Sequence, residues 1–215
     1  MKTPSIPVAK EGYPFIFLSV ASSLISALLN YDIAALTCLA LTAFITYFFR
    51  DPSRITPHES DLMISPADGK VILVEDIHDD RFLNQHVRKI SIFMNIFNVH
   101  VNRTPLTGTV ETIQLKPGRF YSADKNKAAL HNEYCALIVK TEKNVRYGVV
   151  QMAGLIARRI VCWAEKGDSL KTGQRFGLIR FGSRVDLYLP LNFEVEAKVG
   201  QKVKAGETII ARIRN

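Results

Sequence analysis

The stretch RFGLIRFGSRVDLYLP, Arg175–Pro190, has apolar, strand-like ends around a Gly182-Ser183 pair, itself bracketed by Arg180 and Arg184. Two such runs about a glycine are what a β-rich chain places at a turn or a break between strands. The same texture spreads outward from it. GKVILVED, VRKISIFMN, CALIVKT, VRYGVVQ, RRIVCWAE, FEVEAKV and ETIIARI are short and rich in β-branched and aromatic residues. In VRKISIFMN the alternation puts Ile90, Ile92 and Met94 on one face, and FEVEAKV alternates through Phe193, Val195, Ala197 and Val199. Turn signals at Lys116-Pro117-Gly118, Lys166-Gly167-Asp168, Lys198-Val199-Gly200 and Ala205-Gly206 separate the runs. One helix is expected around Ser122 to Tyr134. Residues 51–215 therefore read as a mainly β domain, a barrel or sandwich with little helix.

The N-terminal quarter has a different pattern. GYPFIFLSVASSLISALLNY, Gly12–Tyr31, is uncharged; Asp32 interrupts, and Ile33–Phe49 is uncharged again. A bilayer span takes about 20 apolar residues, so the two runs predict a hydrophobic helical hairpin over residues 1–50. Lys2 and Lys10 precede the first run, and Arg50 and Arg54 follow the second. The positive-inside rule then places both ends, and the β domain after them, on the cytoplasmic side of the cell membrane. Full spanning and shallow insertion both satisfy this pattern. A cleaved signal peptide would account for the first run only, and a pair of core helices is the soluble alternative.

The composition, 47% hydrophobic and 22% charged, is that of a folded chain, and a formal charge of +8 favours an anionic partner such as an acidic membrane face. The basic residues form no aromatic-studded stripe, so nucleic acid is not expected as a partner. The three cysteines, Cys38, Cys135 and Cys162, have no CxxC spacing. They read as reduced thiols, and no metal site is expected. The chain lacks GxGxxG, Walker, HExxH and GxSxG motifs. VEAKVGQKVKAGETIIARI is similar in shape to the half-barrels of biotinyl and lipoyl carrier domains, without a lysine at a hairpin tip for modification. Self-association is left open.

Chemistry gathers around Gly182-Ser183. A serine hydroxyl can attack the carbonyl just before it, converting amide to ester. Glycine there leaves the approach unblocked. A neutral histidine would take the hydroxyl proton and a carboxylate would orient that histidine. His100, between valines in IFNVHVNRTP, and Asp68, in the turn SPADGKV, are the candidates. Each has an ordinary alternative: Asp-Gly is a common turn, and a lone histidine among valines is commonly a packed core residue. β-Elimination of the ester would release the upstream chain, and hydrolysis of the resulting dehydroalanine would leave a pyruvoyl group.

FFRDPSR, SPADGKV, NVHVNRTP, QMAGLIARRIVCW and RFGLIRFGSRVDLYLP, in this order, resemble the phosphatidylserine decarboxylase proenzymes of the short bacterial and archaeal type. The resemblance implies self-cleavage between Gly182 and Ser183. A β chain, 1–182, would stay associated with an α chain, 183–215, and Ser183 would become a covalent pyruvoyl cofactor. It implies roles in self-processing for Asp68 and His100. It also implies a carboxy-lyase that turns phosphatidylserine into phosphatidylethanolamine through a Schiff base with the pyruvoyl group, which delocalises the carbanion left by carbon dioxide. Arg50, Arg54 and Arg119 are the candidates for headgroup contact. Two positions depart from the pattern. Longer members carry a second histidine where Phe97 stands, and a frequent Asn-Glu-Arg is Asn132-Glu133-Tyr134 here. The rival reading is a membrane-tethered, uncut carrier or phosphocarrier barrel that uses His100.

Overall fold

An uncharged run in a low-dielectric setting must satisfy its backbone internally, and both N-terminal runs do so as helices. A computed structural model describes residues 7–57, 59, 61–118, 132–154, 159–180 and 183–214. The chain divides into two units, 2–53 and 54–215.

In the first unit a 3-10 turn, Lys10–Gly12, leads into α1 (Tyr13–Leu28). Pro14 occupies the first turn of α1, where its missing N–H has no partner to lose. Asn30 takes a left-handed φ of 58° at the connection, and Asp32 opens α2 (Asp32–Phe48) with its carboxylate at the positive end of the helix. Small hydroxyl residues join the two helices. Thr42 Oγ1 donates to Ser19 Oγ at 2.9 Å, and Ser23 Oγ donates to the Ala35 carbonyl at 2.9 Å. The large apolar side chains turn the other way: Phe17, Leu28 and Ile33 are 76%, 82% and 83% exposed. A strap closes the open end, with the Ala9 N–H on the Phe49 carbonyl at 2.8 Å and the Asp51 N–H on the Pro7 carbonyl at 2.7 Å. The 19-residue segment Lys10–Leu28 is long and apolar enough to cross a membrane; Asp32–Phe48 is a shorter apolar helix.

The second unit is β throughout its described residues. Its strands are β1 (Leu62–Ile64), β2 (Gly69–Asp79), β3 (Gln85–Met94), β4 (Val101–Arg103), β5 (Gly108–Lys116), β6 (Tyr134–Lys140) and β7 (Arg146–Ala153). After these come β8 (Ile160–Cys162), β9 (Ser169–Leu170), β10 (Arg175–Ile179), β11 (Ser183–Pro190), β12 (Phe193–Val195), β13 (Lys202–Val203) and β14 (Ile209–Ile213). Eight of them form one sheet in the order β13-β2-β3-β11-β7-β6-β5-β9, which curls as a half-barrel. Two three-stranded sheets, β1-β14-β12 and β4-β10-β8, complete the fold. The mainly β architecture with an N-terminal helix pair is the one expected from the sequence.

The core lies inside the curl. Ile90, Ile92 and Met94 of β3 face Val185, Leu187 and Leu189 of β11, with Tyr147 and Phe176 among them. Each fully buried aliphatic or aromatic side chain contributes about 1.5–3 kcal/mol. β11 is the central strand of this packing, and all of its residues but Pro190 are buried.

Some expected elements differ in extent. FEVEAKV ends as a strand at Val195, because Gly200, with φ +94°, turns the chain and donates its N–H to Val71. Val199 sits on that turn, 63% exposed. RRIVCWAE contracts to Ile160–Cys162, since the Asp168 carboxylate takes the Glu165 N–H and forms a turn. Residues 119–131 lie outside the described residues, and with them most of the expected helix; its last residue, Tyr134, opens β6 opposite Lys116 and Met152. β5 was unforeseen: its TVETIQLK pattern is largely polar, and Leu115 is 70% exposed.

Candidate active site

Strand pairing delivers Ser183 to the interior. It is the first residue of β11, opposite Met94 of β3 and Ala153 of β7, and has no exposed surface. Gly182 and Phe181 lie outside the described residues. The Ser183 hydroxyl donates to the Met94 thioether sulfur at 3.4 Å. That sulfur also receives Asn102 Nδ2 at 3.8 Å, while Asn102 Oδ1 accepts from Gln151 Nε2 at 2.8 Å. Gly177 makes room for this amide: a Cβ there would stand 2.8 Å from Gln151 Nε2. Ser183 thus heads a fully buried polar chain running through Met94, Asn102 and Gln151.

His100 sits immediately before β4 and is also fully buried. Its Nδ1 lies 2.9 Å from the Asn98 carbonyl. A carbonyl only accepts, so Nδ1 carries a hydrogen, and in the neutral form of the ring the lone pair falls on Nε2. The His100 carbonyl accepts the Ile179 N–H at 3.3 Å, which ties it to the segment that runs into 181–183. The local turn is made by its own asparagines. The Asn98 side chain takes the Asn95 N–H and the Asn95 side chain takes the Phe97 N–H, which leaves Phe97 60% exposed.

Asp68 is buried, but its hydrogen bonds go elsewhere. Arg54 Nη2 reaches its two oxygens at 2.9 and 3.2 Å, and the Ala205 N–H donates to Oδ1 at 2.8 Å. None goes to His100, although both residues are described. The link between them is through backbone: the Pro66 carbonyl accepts the Arg103 N–H at 2.9 Å, fastening the Asp68 turn to the strand that follows His100. Arg54, a headgroup candidate by sequence, therefore serves as the partner of Asp68, with its side chain only 9% exposed.

The opposite face of β11 holds a second polar set. Arg184 pairs with Asp186 at 2.8 Å, both buried, and Lys89 approaches Asp186 at 3.9 Å. Tyr188 follows on that face beside Phe82, and burial, then the Asp186 charge, pushes its phenol up. Cys162 Sγ donates to the Ala164 carbonyl at 3.5 Å; the neighbouring Cys162, aided by burial, pushes the Cys135 thiol up, and Cys135 holds the Cys162 thiol down. Among the described residues no cluster of His, Cys, Asp and Glu could hold a metal ion.

The sequence comparisons bear on this arrangement. The family model for phosphatidylserine decarboxylase matches residues 41–211, which include Asp68, His100 and Ser183. A phosphatidylserine decarboxylase proenzyme of Desulfotalea psychrophila is 50% identical over 99% of this chain and 100% of its own length. Proenzymes of the same name from Nitratidesulfovibrio vulgaris and Geotalea uraniireducens are 47% and 45% identical, over 99% and 98% of this chain and 97% and 98% of theirs. The chain belongs to the phosphatidylserine decarboxylase family. Within that family frame, Asn132 and Glu133 stand beside the partner of Ser183. Asn132 Nδ2 donates to the Ala153 carbonyl at 2.7 Å, and the Glu133 carbonyl takes the Ala153 N–H at 3.0 Å. Sequence reasoning passed over Met94, Asn102 and Gln151. Met94 was read as one of three core apolars, and Asn102 lay unremarked within NVHVNRTP, two residues after His100.

Proposed function

We propose that the chain is a proenzyme that cuts itself between Gly182 and Ser183 and then, as a pyruvoyl enzyme, decarboxylates phosphatidylserine to phosphatidylethanolamine. The observation that carries this reading is the burial of Ser183 at the head of β11, together with a buried His100 whose carbonyl accepts the Ile179 N–H and whose Nδ1 lies on the Asn98 carbonyl. A thioether cannot take a proton, so the Ser183 hydroxyl on Met94 is parked. Rotation toward His100 Nε2 would give it a base. Oγ then attacks the Gly182 carbonyl, the C–N bond breaks, and the amine of Ser183 takes the proton. Loss of the α-proton expels the Gly182 carboxylate, leaving dehydroalanine; water enters, ammonia leaves, and a pyruvoyl group caps residue 183. The absence of exposed surface at Ser183 favours this elimination over simple hydrolysis of the ester.

The new terminus would stay in place because β11 is laddered to β3 and β7 along nearly its whole length. The pyruvoyl group would supply an electron sink for the carboxylate's electron pair. Met94, Asn102 and Gln151 would hold its surroundings, and His100 would be the proton carrier at the site. Asp68 would act as a positioning residue, its ion pair with Arg54 fixing the turn whose Pro66 carbonyl holds β4. The helix pair would attach the enzyme to the cytoplasmic face of an anionic bilayer. Its outward Phe17, Leu28 and Ile33 support that reading, as do Lys10 and Arg50 at one end, where Arg50 lies 3.8 Å over the Tyr47 ring.

The intact mass of the purified protein tests the proposal. Two polypeptides are expected, 1–182 and 183–215, the smaller blocked to amine reagents and labelled by a hydrazine. Ser183→Ala should give one uncut, inactive chain. A fully active preparation with the 182–183 bond intact would return the protein to the uncut-carrier reading.

A further inference from the structure

β11 is buried on both of its faces. Val185, Leu187 and Leu189 enter the core on one side, and Arg184, Asp186 and Tyr188 lie on the other. Two of these outer residues are charged, and both are buried. Arg184 Nη2 donates to Asp186 Oδ2 at 2.8 Å, and Arg184 Nε lies 2.8 Å from Oδ1. Across the ladders Arg184 stands opposite Phe93 and Met152, and Asp186 opposite Ser91 and Val150. Lys89 of β3, also buried, reaches diagonally to Asp186 at 3.9 Å and to Glu75 of β2 at 3.8 Å.

Stability alone does not account for this set. Well-packed apolar side chains of similar volume hold a buried face as firmly or more so, because each buried charge first gives up its water. What charges add is a distinction between the two faces of the strand. Backbone ladder bonds repeat alike along the chain, so they form in a shifted register as well. A slip of one residue turns every side chain over. In β11 it would carry Arg184 and Asp186 into the core beside Ile90 and Ile92, and would part Asp186 from Lys89. With apolar residues at 184 and 186, the run 184–189 would be apolar at every position, and neither face would be marked as the inner one.

We infer that the Arg184–Asp186 pair, with Lys89, is a register lock that keeps residue 183 at its place opposite Met94 and Ala153. The lock takes effect once the chain is cut, and so stands on the self-cleavage proposed above. In the uncut chain β11 is tied covalently at both ends. After the cut, residue 183 is a chain end joined only to Arg184. A slip of one residue would then move it by about 3.4 Å and turn it away from the interior. Arg184 and Asp186 act from the face opposite Ser183, so they are positioning residues.

Arg184→Met combined with Asp186→Leu removes the charges and keeps the bulk. The full-length variant is compared with its parent by thermal unfolding, by the fraction cut on a denaturing gel, and by decarboxylation of phosphatidylserine in detergent micelles, with rates expressed per carbonyl titrated by a hydrazine. Stability at or above that of the parent and complete cutting are expected. The kcat per carbonyl should fall by about tenfold or more with KM little changed, since a misplacement of about 1 Å can cost about 10²-fold. Arg184→Lys, which keeps a charge beside Asp186, should recover most of the rate. A parent protein that stays in one piece would sink the self-cleavage reading and the lock together. With a cut parent, any of three results overturns the lock alone: an undiminished kcat in the double variant, a loss of its stability or cutting, or a defect in Arg184→Lys as large as that of the double variant.

Discussion

In the helix pair Ser19, Ser23 and Thr42 turn inward and Phe17, Leu28 and Ile33 turn outward. In the β unit Ile90, Val185 and Leu187 turn inward, and buried charges are met inside the fold, as in the pairs Arg54 with Asp68 and Arg184 with Asp186. The first arrangement suits a surround as apolar as leucine, where helices associate through small and polar contacts. The second suits water, where burial of apolar surface drives folding and each buried charge needs a partner. One chain therefore carries two opposite solvent codes, and a substitution with little consequence in one unit should be severe in the other.

The largest effect should come from the β unit's polar interior. His100→Ala should slow self-cleavage by about 10²–10⁴-fold, the usual worth of a general base. The readout is the fraction of cut chain over time on a denaturing gel. Normal maturation of that variant would remove His100 from the mechanism. Next comes Arg54→Ala, which strands Asp68 as a buried carboxylate. Breaking a buried pair in this way costs about 3–5 kcal/mol of stability. Chemical denaturation would measure it, and Arg54→Ala combined with Asp68→Asn should recover part of the loss. If the single variant proves as stable as the parent, water reaches Asp68 and the pair is not a buried one.

These residues also mark where the sequence was legible. The helix pair was readable because two long runs without charge favour helices in any apolar setting, and the strands of the half-barrel were readable where alternation was strong, as in Ile90, Ile92 and Met94. β5 was not, since only Gly108 and Val110 are buried and its remaining apolar residues, Ile113 and Leu115, are set among polar ones, half-buried and exposed. Asp68, His100 and Ser183 stood out by residue type and motif. Their partners did not. The Arg54 contact with Asp68 spans 14 residues, and the Ser183 contact with Met94 spans 89. No local pattern encodes such a meeting; it follows from β3 and β11 lying side by side. A methionine in particular carries no signal of a polar role until its sulfur is seen accepting a hydroxyl.

A charge placed on the outer surface of the hairpin tests the opposite code. Leu39 is 57% exposed near the middle of α2. In a water-soluble domain Leu39→Lys would be nearly neutral or mildly solubilising. Against a bilayer it should cost about 2.5–3.5 kcal/mol. Flotation with vesicles containing phosphatidylglycerol would read this as a marked fall in the bound fraction, with self-cleavage unchanged. Equal flotation of the two proteins would mean that this face does not meet lipid.

The smallest predicted effect is the most discriminating about what holds the helices together. Thr42 Oγ1 donates to Ser19 Oγ and also lies 2.8 Å from the Cys38 carbonyl, so its one hydrogen is shared between a partner helix and its own backbone. Thr42→Val keeps the shape and removes the hydroxyl. If the contact across the helices carries the energy, the loss should be about 0.6 kcal/mol, the mean for such bonds between membrane helices. Ser19→Ala should then give a similar loss, and the double variant should lose little more than either single one, since the two changes break the same bond. Stability measured in detergent by a thermal shift would resolve the comparison. Additive losses would show that Thr42 mainly serves its own helix through Cys38, and that the close approach of α1 and α2 rests on packing of their small residues instead.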